Sequence, residues 1–493
     1  MAITIQLLKQ LRRAAASINQ TTDNPEHKAL LASADQALNE MMLQESPAFY
    51  LNYVESGKQL LAEGNAMARK NGVPPPAGML LRNDLSAEHC IAAIRAEIDK
   101  LHFSLEWVVA VLDEGRSAEE KDYLIRLCDW ESTLYAHSLE QVDSAAANML
   151  KPLTKEALQA YLQQKFPQWT NLKVTKFMRL DGGFSKTTIL FETDDAVNGP
   201  QSLVMRAEQA ANMLGYEGSD VRQEFYMIKL MQQAGLPIAD PLWLEDDQSK
   251  LGMRFIVSRK AVGGSYGGNF GSDKPLPPEL LQNIMSTFIK MHNIKVDPAD
   301  PLAQKSHLRE WLPHVGSVKD ATRHLVTEFM PRLIKLTDLK ASPQLLRGLK
   351  WLEKNIPDID EAPTVVHIDF AFNNLIIDGN QITAVLDWES SRLGDPAEDV
   401  IWTQFSLNSY LSMPDFLKQY EAATGRKMTE FRLAYYRVSK CALNAISCLS
   451  SARAIDSNDG SNFNLTILGY KYMSIFGSQF NTLIAEAEKV RGR

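Results

Sequence analysis

The feature that most constrains this 493-residue chain is the stretch from Val366 to Val400, VHIDFAFNNLIIDGNQITAVLDWESSRLGDPAEDV. His367-Ile368-Asp369 opens it, and Asn374 stands five residues after the aspartate. The apolar run Leu375-Ile376-Ile377 leads to Asp378-Gly379-Asn380, a turn sequence. A second apolar run, Ile382 to Leu386, then delivers Asp387-Trp388-Glu389. Apolar runs on either side of Asp-Gly-Asn read as two strands joined by a tight hairpin turn. A hairpin returns its second strand to the start of its first, so Asp369, Asn374 and Asp387 are expected to converge.

Two carboxylates and an amide at this spacing suit phosphoryl transfer, which depends on positioning and on neutralising negative charge. Mg²⁺ is a hard ion that takes oxygen ligands in octahedral geometry. Asn374 and Asp387 are therefore the expected metal ligands. Asp369 is left to orient an acceptor hydroxyl and accept its proton. His367 is expected to shape the loop through a hydrogen bond rather than act as a base. An isolated His-x-Asp is an ordinary capping pair; the amide, the hairpin and the second aspartate in register give it meaning.

At these residues the chain resembles the aminoglycoside phosphotransferase and choline kinase-like family, whose pattern is HGDxxxxN followed by a DWE or DFE hairpin. Gly394-Asp395-Pro396 and Asp399 resemble the family's GDPxxD segment. Ile368 departs from the pattern, standing where the family usually has Gly, and its side chain must point away from substrate. The resemblance covers roughly residues 151–490. It is nearest the branch associated with acyl-CoA dehydrogenases, whose members phosphorylate hydroxyacyl-CoA thioesters. It implies an α+β, bilobal protein-kinase-like fold with a small β-rich N-lobe (151–262) and a larger helical C-lobe (263–493).

Such an enzyme needs an upstream lobe to cover the nucleotide. Leu172–Leu180 alternates as a strand does, runs into Asp181-Gly182-Gly183-Phe184-Ser185-Lys186, and continues as a strand over Thr187–Phe191. Strand, glycine turn, strand lets backbone N–H groups approach phosphate, so Gly182, Gly183 and Ser185 are candidate nucleotide contacts. The turn is not a Walker A loop, because the leading GxxxxG is absent. Arg206, on the strand Ser202–Arg206, is the candidate cation for the α- and β-phosphates, where kinases usually use Lys; its fork can bridge two oxygens. Glu224, on an amphipathic helix with Phe225, Ile228, Leu230 and Met231 toward the core, is the candidate to pair with Arg206. Strands at 242–245 and 253–258 lead to a hinge near 257–261. The glycine-rich Gly263–Gly271 reads equally as a loop over the substrate cleft or as a linker.

Residues 1–150 read as an all-α docking or regulatory domain. Apolar residues recur at helical spacing through Leu30–Met42 and Ile91–Leu101, a third block spans Tyr123–Met149, and Pro74-Pro75-Pro76 separates two of them. No catalytic constellation appears there, and the region is a candidate surface for a protein partner or self-association. After Val400, helices are expected over 416–423, 431–451 and 465–487, with Trp402, Phe405, Tyr410, Tyr435, Tyr436 and Tyr470 as aromatics of either acceptor pocket or plain core. His292 reads as a packed core histidine.

Composition narrows the partners. A formal net charge of −8 without a basic cluster argues against nucleic acid. The four cysteines show no metal spacing and fit a reducing compartment. No apolar run approaches the ~20 residues of a membrane span, and the N-terminus has its cations after its apolar residues, the wrong order for a secretory signal. The expected location is cytoplasmic. The expected activity is transfer of the γ-phosphoryl of ATP or GTP, with Mg²⁺, to the hydroxyl of a small molecule, with a hydroxyacyl-CoA as one candidate. An aminoglycoside or amino-alcohol kinase is the alternative acceptor reading. A nucleotide-binding interaction protein without transfer activity is the reading from another class.

Overall fold

The computed structural model describes residues 47–76, 81–82, 85, 91–113, 115, 117–136, 153–180, 186–208, 220–268, 271–314, 316–336, 342–452, 476 and 479–491. The expectations for Leu30–Met42, 137–149, Gly182, Gly183, Ser185 and Tyr470 lie outside the described residues. In chain order the elements are α1 (Pro47–Lys70), α2 (Ile91–Leu112), α3 (Ala118–Ala136), α4 (Lys155–Lys165), β1 (Lys173–Leu180), β2 (Lys186–Asp194), β3 (Gln201–Glu208), α5 (Val221–Gln233), β4 (Pro241–Glu245), β5 (Phe255–Arg259) and β6 (Gly264–Ser265). There follow α6 (Pro278–His292), α7 (Pro301–Lys305), α8 (Val318–His324), α9 (Met330–Leu336), α10 (Pro343–Lys354), β7 (Thr364–Val366), β8 (Leu375–Asp378), β9 (Gln381–Val385), β10 (Arg392–Gly394), α11 (Ala397–Leu407), α12 (Met413–Thr424) and α13 (Glu430–Ala452).

Two compact units contain these elements. The first comprises the described residues of 1–148, 326–355 and 438–491, and the second those of 149–325 and 356–437. This partition differs from the three contiguous segments expected from sequence, because α10 packs against α2 and α3 rather than within a C-lobe. In the first unit Tyr53, Ile98, Leu101, Leu105, Val108, Tyr123, Leu127 and Trp130 form one apolar core. Tyr53 stacks on Trp130 with ring centres 4.1 Å apart. The carboxylate of Glu131, fully buried, accepts from Ser342 Oγ and from Gln344 N at 2.6 and 2.8 Å, which caps the start of α10.

The second unit contains an antiparallel five-stranded sheet in the order β1-β2-β3-β5-β4. Its apolar face, with Val174, Ile189, Phe191, Leu203, Met205 and Val257, packs on Leu158, Tyr161 and Leu162 of α4. Thr154 starts that helix as its N-cap, its side chain accepting from Ala157 N at 3.2 Å. The helix α5 begins at Asp220 and buries Phe225, Ile228, Leu230 and Met231, the face its periodicity predicts. Glu224 lies on that same face one turn before Ile228, so helical geometry alone carries a carboxylate into the interior. The remainder is mainly helical, with a three-stranded sheet in the order β6-β8-β9 and a β7–β10 pair. A small antiparallel sheet followed by a larger helical part is the protein-kinase-like α+β architecture.

In the first unit, Gly57 and Gly64 are sites of close helix approach. A Cβ on Gly57 would stand 2.3 Å from the Trp130 ring and 2.4 Å from Leu101. Gly57→Ala gains about 1 kcal/mol of helix propensity but overpacks the core at a cost of about 1–3 kcal/mol. The expected net outcome is a lower midpoint for thermal unfolding, measured by circular dichroism; an unchanged or raised midpoint contradicts this packing.

Candidate active site

The hairpin forms as its sequence suggests, with Asp378 opposite Gln381 and Gly379 at φ +57°. Leu375 pairs with Val385. That register sets Asn374 opposite Leu386, and Leu386 N donates to Asn374 O at 2.8 Å. Asn374 thus stands beside the residue before Asp387. Asp387 itself takes φ +65°, a left-handed conformation that aspartate tolerates, which turns the chain out of β9. Asn374 Nδ2 donates to Asp369 Oδ2 at 2.8 Å and to Asp369 O at 2.9 Å. The structure therefore brings Asp369, Asn374 and the start of the Asp387 turn to one place.

Asp369 has a second donor on its other oxygen. Trp402 Nε1, on α11, donates to Asp369 Oδ1 at 2.7 Å. Sequence reading placed Trp402 only among candidate pocket aromatics; Tyr435 and Tyr436 of that group are buried core, and Phe405 is exposed. Each carboxylate oxygen is thus held, which fixes the plane of the acid.

His367 shapes the loop. Its Nε2 lies 2.8 Å from Leu386 O, tying the loop to the end of β9. Ile368 adopts φ +75° with its side chain 8% exposed. A β-branched residue there is a backbone outlier costing about 1–2 kcal/mol. What holds it is Asp399 on α11, fully buried, whose two oxygens accept from His367 N and Ile368 N, each at 2.6 Å. His292 Nε2 lies 3.1 Å from Asp399 Oδ2 and its Nδ1 2.9 Å from Tyr420 OH. His292 is a packed histidine that supports this carboxylate. Burial pushes the Asp399 carboxyl up, and His292 together with the loop N–H groups brings it below the ordinary aspartate range.

On the sheet side, Arg206 Nη2 lies 2.8 Å from Asp387 Oδ1 and 3.5 Å from Glu224 Oε1. Its hydrogen bond goes to Asp387; neither Glu224 oxygen has a hydrogen-bond partner among the described residues. Burial holds the Glu224 carboxyl above its ordinary value despite Arg206 and Lys186. Burial also pushes Asp387 upward, but the charge and hydrogen bond of Arg206 outweigh it and keep that carboxyl low. Next to this pair, and unforeseen from sequence, Lys186 Nζ meets Glu389 Oε2 at 3.0 Å. The only sequence signal was position: Lys186 follows the glycine turn and Glu389 follows Asp387 by two.

One carboxylate oxygen pair and one amide oxygen form a set that suits a hard divalent cation completed by phosphate oxygens. Asp387 already draws a cationic partner at 2.8 Å, so the residues present fit the ion. Among the described residues no cluster of three His, Cys, Asp or Glu side chains offers a separate metal site. Beside the catalytic loop, Ser265 Oγ donates to Phe372 O at 3.2 Å. There Tyr266, Ser272, Asp273, Lys274 and Ser409 line an open cleft of about 570 Å³.

Asp399→Asn replaces an acceptor of two loop N–H groups by an amide that cannot serve both. Removing one partner of a buried charged network costs about 3–5 kcal/mol, so thermal unfolding is expected at a clearly lower temperature. The depressed carboxyl gives the native protein stability that is fully present above the ordinary aspartate value of about 4 and is lost as pH falls further. In the Asp399→Asn variant that acid-side loss should be smaller; an equal loss would assign the effect elsewhere.

The model of the APH phosphotransferase enzyme family matches residues 176–435, just over half of the chain. Acyl-CoA dehydrogenase family member 11 of Mus musculus is 24% identical over 254 residues, covering 50% of this chain and 30% of that protein. The chain thus spans less than a third of this curated relative. Hygromycin-B 4-O-kinase of Escherichia coli is 22% identical over 255 residues, covering 51% of this chain and 67% of that enzyme. Among solved structures, a thermostable mutant of aminoglycoside phosphotransferase APH(4)-Ia in ternary complex with AMP-PNP and hygromycin B aligns at TM-score 0.41 and 20% identity. That alignment covers 65% of this chain and 97% of the other. No helix among the described residues is long and apolar enough to cross a membrane. With its match running from β1 through the hairpin into α13, this chain belongs to the APH phosphotransferase enzyme family.

Proposed function

We propose that this kinase transfers the γ-phosphoryl group of ATP or GTP, in a Mg²⁺-dependent reaction, to the hydroxyl of a hydroxyacyl-CoA thioester. The observation that carries the proposal is the fixed carboxylate of Asp369, held between Asn374 Nδ2 and Trp402 Nε1 on the catalytic loop. Asp369 orients the acceptor hydroxyl. As the oxygen–phosphorus bond forms and the bond to the nucleoside diphosphate breaks, Asp369 takes the hydroxyl proton. Asn374 and Asp387 would hold Mg²⁺, which supplies neutralisation of phosphate charge when bound. Arg206 leaves Asp387 for the α- and β-phosphates, as its fork permits, and Gly182, Gly183 and Ser185 are proposed from sequence alone as nucleotide contacts. Glu224 stays 3.5 Å away and keeps the guanidinium aimed inward.

The acyl-CoA thioester is favoured by the acyl-CoA dehydrogenase relative. The cleft of about 570 Å³ beside Phe372 is of a size common for ligand sites. The relative named for hygromycin B favours an aminoglycoside as the second reading. A panel of hydroxyacyl-CoAs, aminoglycosides and amino alcohols, scored by nucleoside diphosphate release and phosphorylated product, separates them. Turnover confined to the antibiotics would remove the thioester reading. The N-terminal region read from sequence as residues 1–150 is proposed as a docking surface for a protein partner or a second copy.

Two outcomes follow for the catalytic loop. Asp369→Asn should lower kcat by roughly 10²–10⁴-fold while calorimetry shows unchanged binding of MgAMP-PNP; near-normal turnover would exclude Asp369 as the base and revive a non-catalytic reading. Trp402→Phe removes only the Nε1–H that orients the acid. It should lower kcat about tenfold, the loss of one hydrogen bond to a charged group, without changing the KM for nucleotide; a shift in nucleotide KM alone would contradict that role.

A further inference from the structure

The buried Lys186–Glu389 pair stands outside the roles just assigned. Its Nζ–Oε2 distance is 3.0 Å, and the two side chains are 2% and 9% exposed. Its placement follows from register. In the β2–β3 ladder Thr188 is opposite Arg206. Directly opposed residues share a face, and residues two apart along a strand share it too. Lys186 is therefore a diagonal neighbour of Arg206 on one face of the sheet. On the other side, Glu389 follows Asp387 by two residues, within the turn Trp388–Ser390. Two cation–carboxylate pairs thus lie side by side, Arg206 with Asp387 and Lys186 with Glu389.

Both pairs tie β2–β3 to the segment that follows β9. A buried pair is weak evidence for stability, since desolvation offsets most of the attraction, and an apolar pair of like volume often does as well. A triphosphate, by contrast, brings more negative charge than one guanidinium and one divalent ion offset. Lys186 begins β2 directly after the glycine-containing sequence Asp181–Ser185, where the kinase reading expects phosphate.

Resting on the kinase reading above, we infer that Lys186 is a second phosphate-binding cation and that Glu389 is its resting partner, exchanged for a phosphate oxygen when nucleotide enters. In the resting protein both cations of the site are occupied by carboxylates. Nucleotide binding is then an exchange of anions at two adjacent cations, with Asp387 released in the same event. Lys186 is a nucleotide-binding residue for the phosphates, and Glu389 is a positioning residue that keeps the ammonium at the site before they arrive.

The test uses the full-length protein and reads calorimetric affinity for MgAMP-PNP and for adenosine, with thermal unfolding alongside. Lys186→Met combined with Glu389→Met removes the pair without leaving a lone buried charge. It is expected to unfold near the wild-type temperature, to lose at least about tenfold in MgAMP-PNP affinity, the scale of one hydrogen bond between charged groups, and to bind adenosine unchanged. Lys186→Arg should restore most of that affinity.

Glu389→Gln alone weakens the resting hold on the ammonium, so MgAMP-PNP should bind at least as tightly and raise the unfolding midpoint by more than it does in wild type. Wild-type MgAMP-PNP affinity in the double variant, equal losses for adenosine and MgAMP-PNP, or a tenfold loss in Glu389→Gln would each overturn the inference. A wild-type protein that binds adenosine and MgAMP-PNP equally would overturn it as well. One that binds neither removes the kinase reading beneath it.

Discussion

The site depends on one buried carboxylate. Asp399 accepts from two successive backbone N–H groups of the catalytic loop and is backed by His292. Successive N–H groups converge on one anion only where the backbone departs from helix and strand, and here the departure is the positive φ of Ile368. The strain of a β-branched residue in that conformation, about 1–2 kcal/mol, is offset by charge-assisted hydrogen bonds to a fully buried carboxylate. With the loop anchored there, Asp369 projects from it with both oxygens held, by Asn374 on one side and Trp402 on the other.

The second organising force is the hairpin register. A slip of one residue in β8–β9 would reverse which side chains face the interior, and would separate Asn374 from the Asp387 turn. The register is held by the Gly379 turn, by buried Leu375, Ile377, Ile382, Ala384 and Val385, and by Leu386 N to Asn374 O. The charged residues around it pair locally. Two cations, Lys186 and Arg206, face three carboxylates, Glu224, Asp387 and Glu389. Burial raises the Glu224 carboxyl above its ordinary value despite those two cations. An acidic chain with a net charge of −8 thus brings two cations together at one point beside the hairpin.

Much of this was legible in the residues themselves. The hairpin, the three polar residues it gathers, the strands flanking the glycine turn and the buried face of α5 all follow from local periodicity and turn chemistry, which act over neighbours in sequence. Ile368 was legible as a departure from the family pattern, but its backbone strain was not. The Trp402–Asp369 and Lys186–Glu389 contacts join positions 33 and 203 residues apart, and no local signal encodes such a pairing. The partition into units was hidden for the same reason: α10 reads as another amphipathic helix, yet it packs against α2 and α3.

By itself the sequence determined which chemistry the chain carries, because a carboxylate, an amide and a second carboxylate at hairpin spacing are constrained by short-range geometry. It also determined the order of elements, since periods of two and 3.6 residues are local properties. Only the tertiary structure decided which charges meet. Arg206 turned to Asp387 rather than chiefly to Glu224, because ion pairing depends on distances set by sheet register and helix packing. The depth of Asp399 and the aim of Trp402 were decided in the same way, by how α11 packs beneath the catalytic loop.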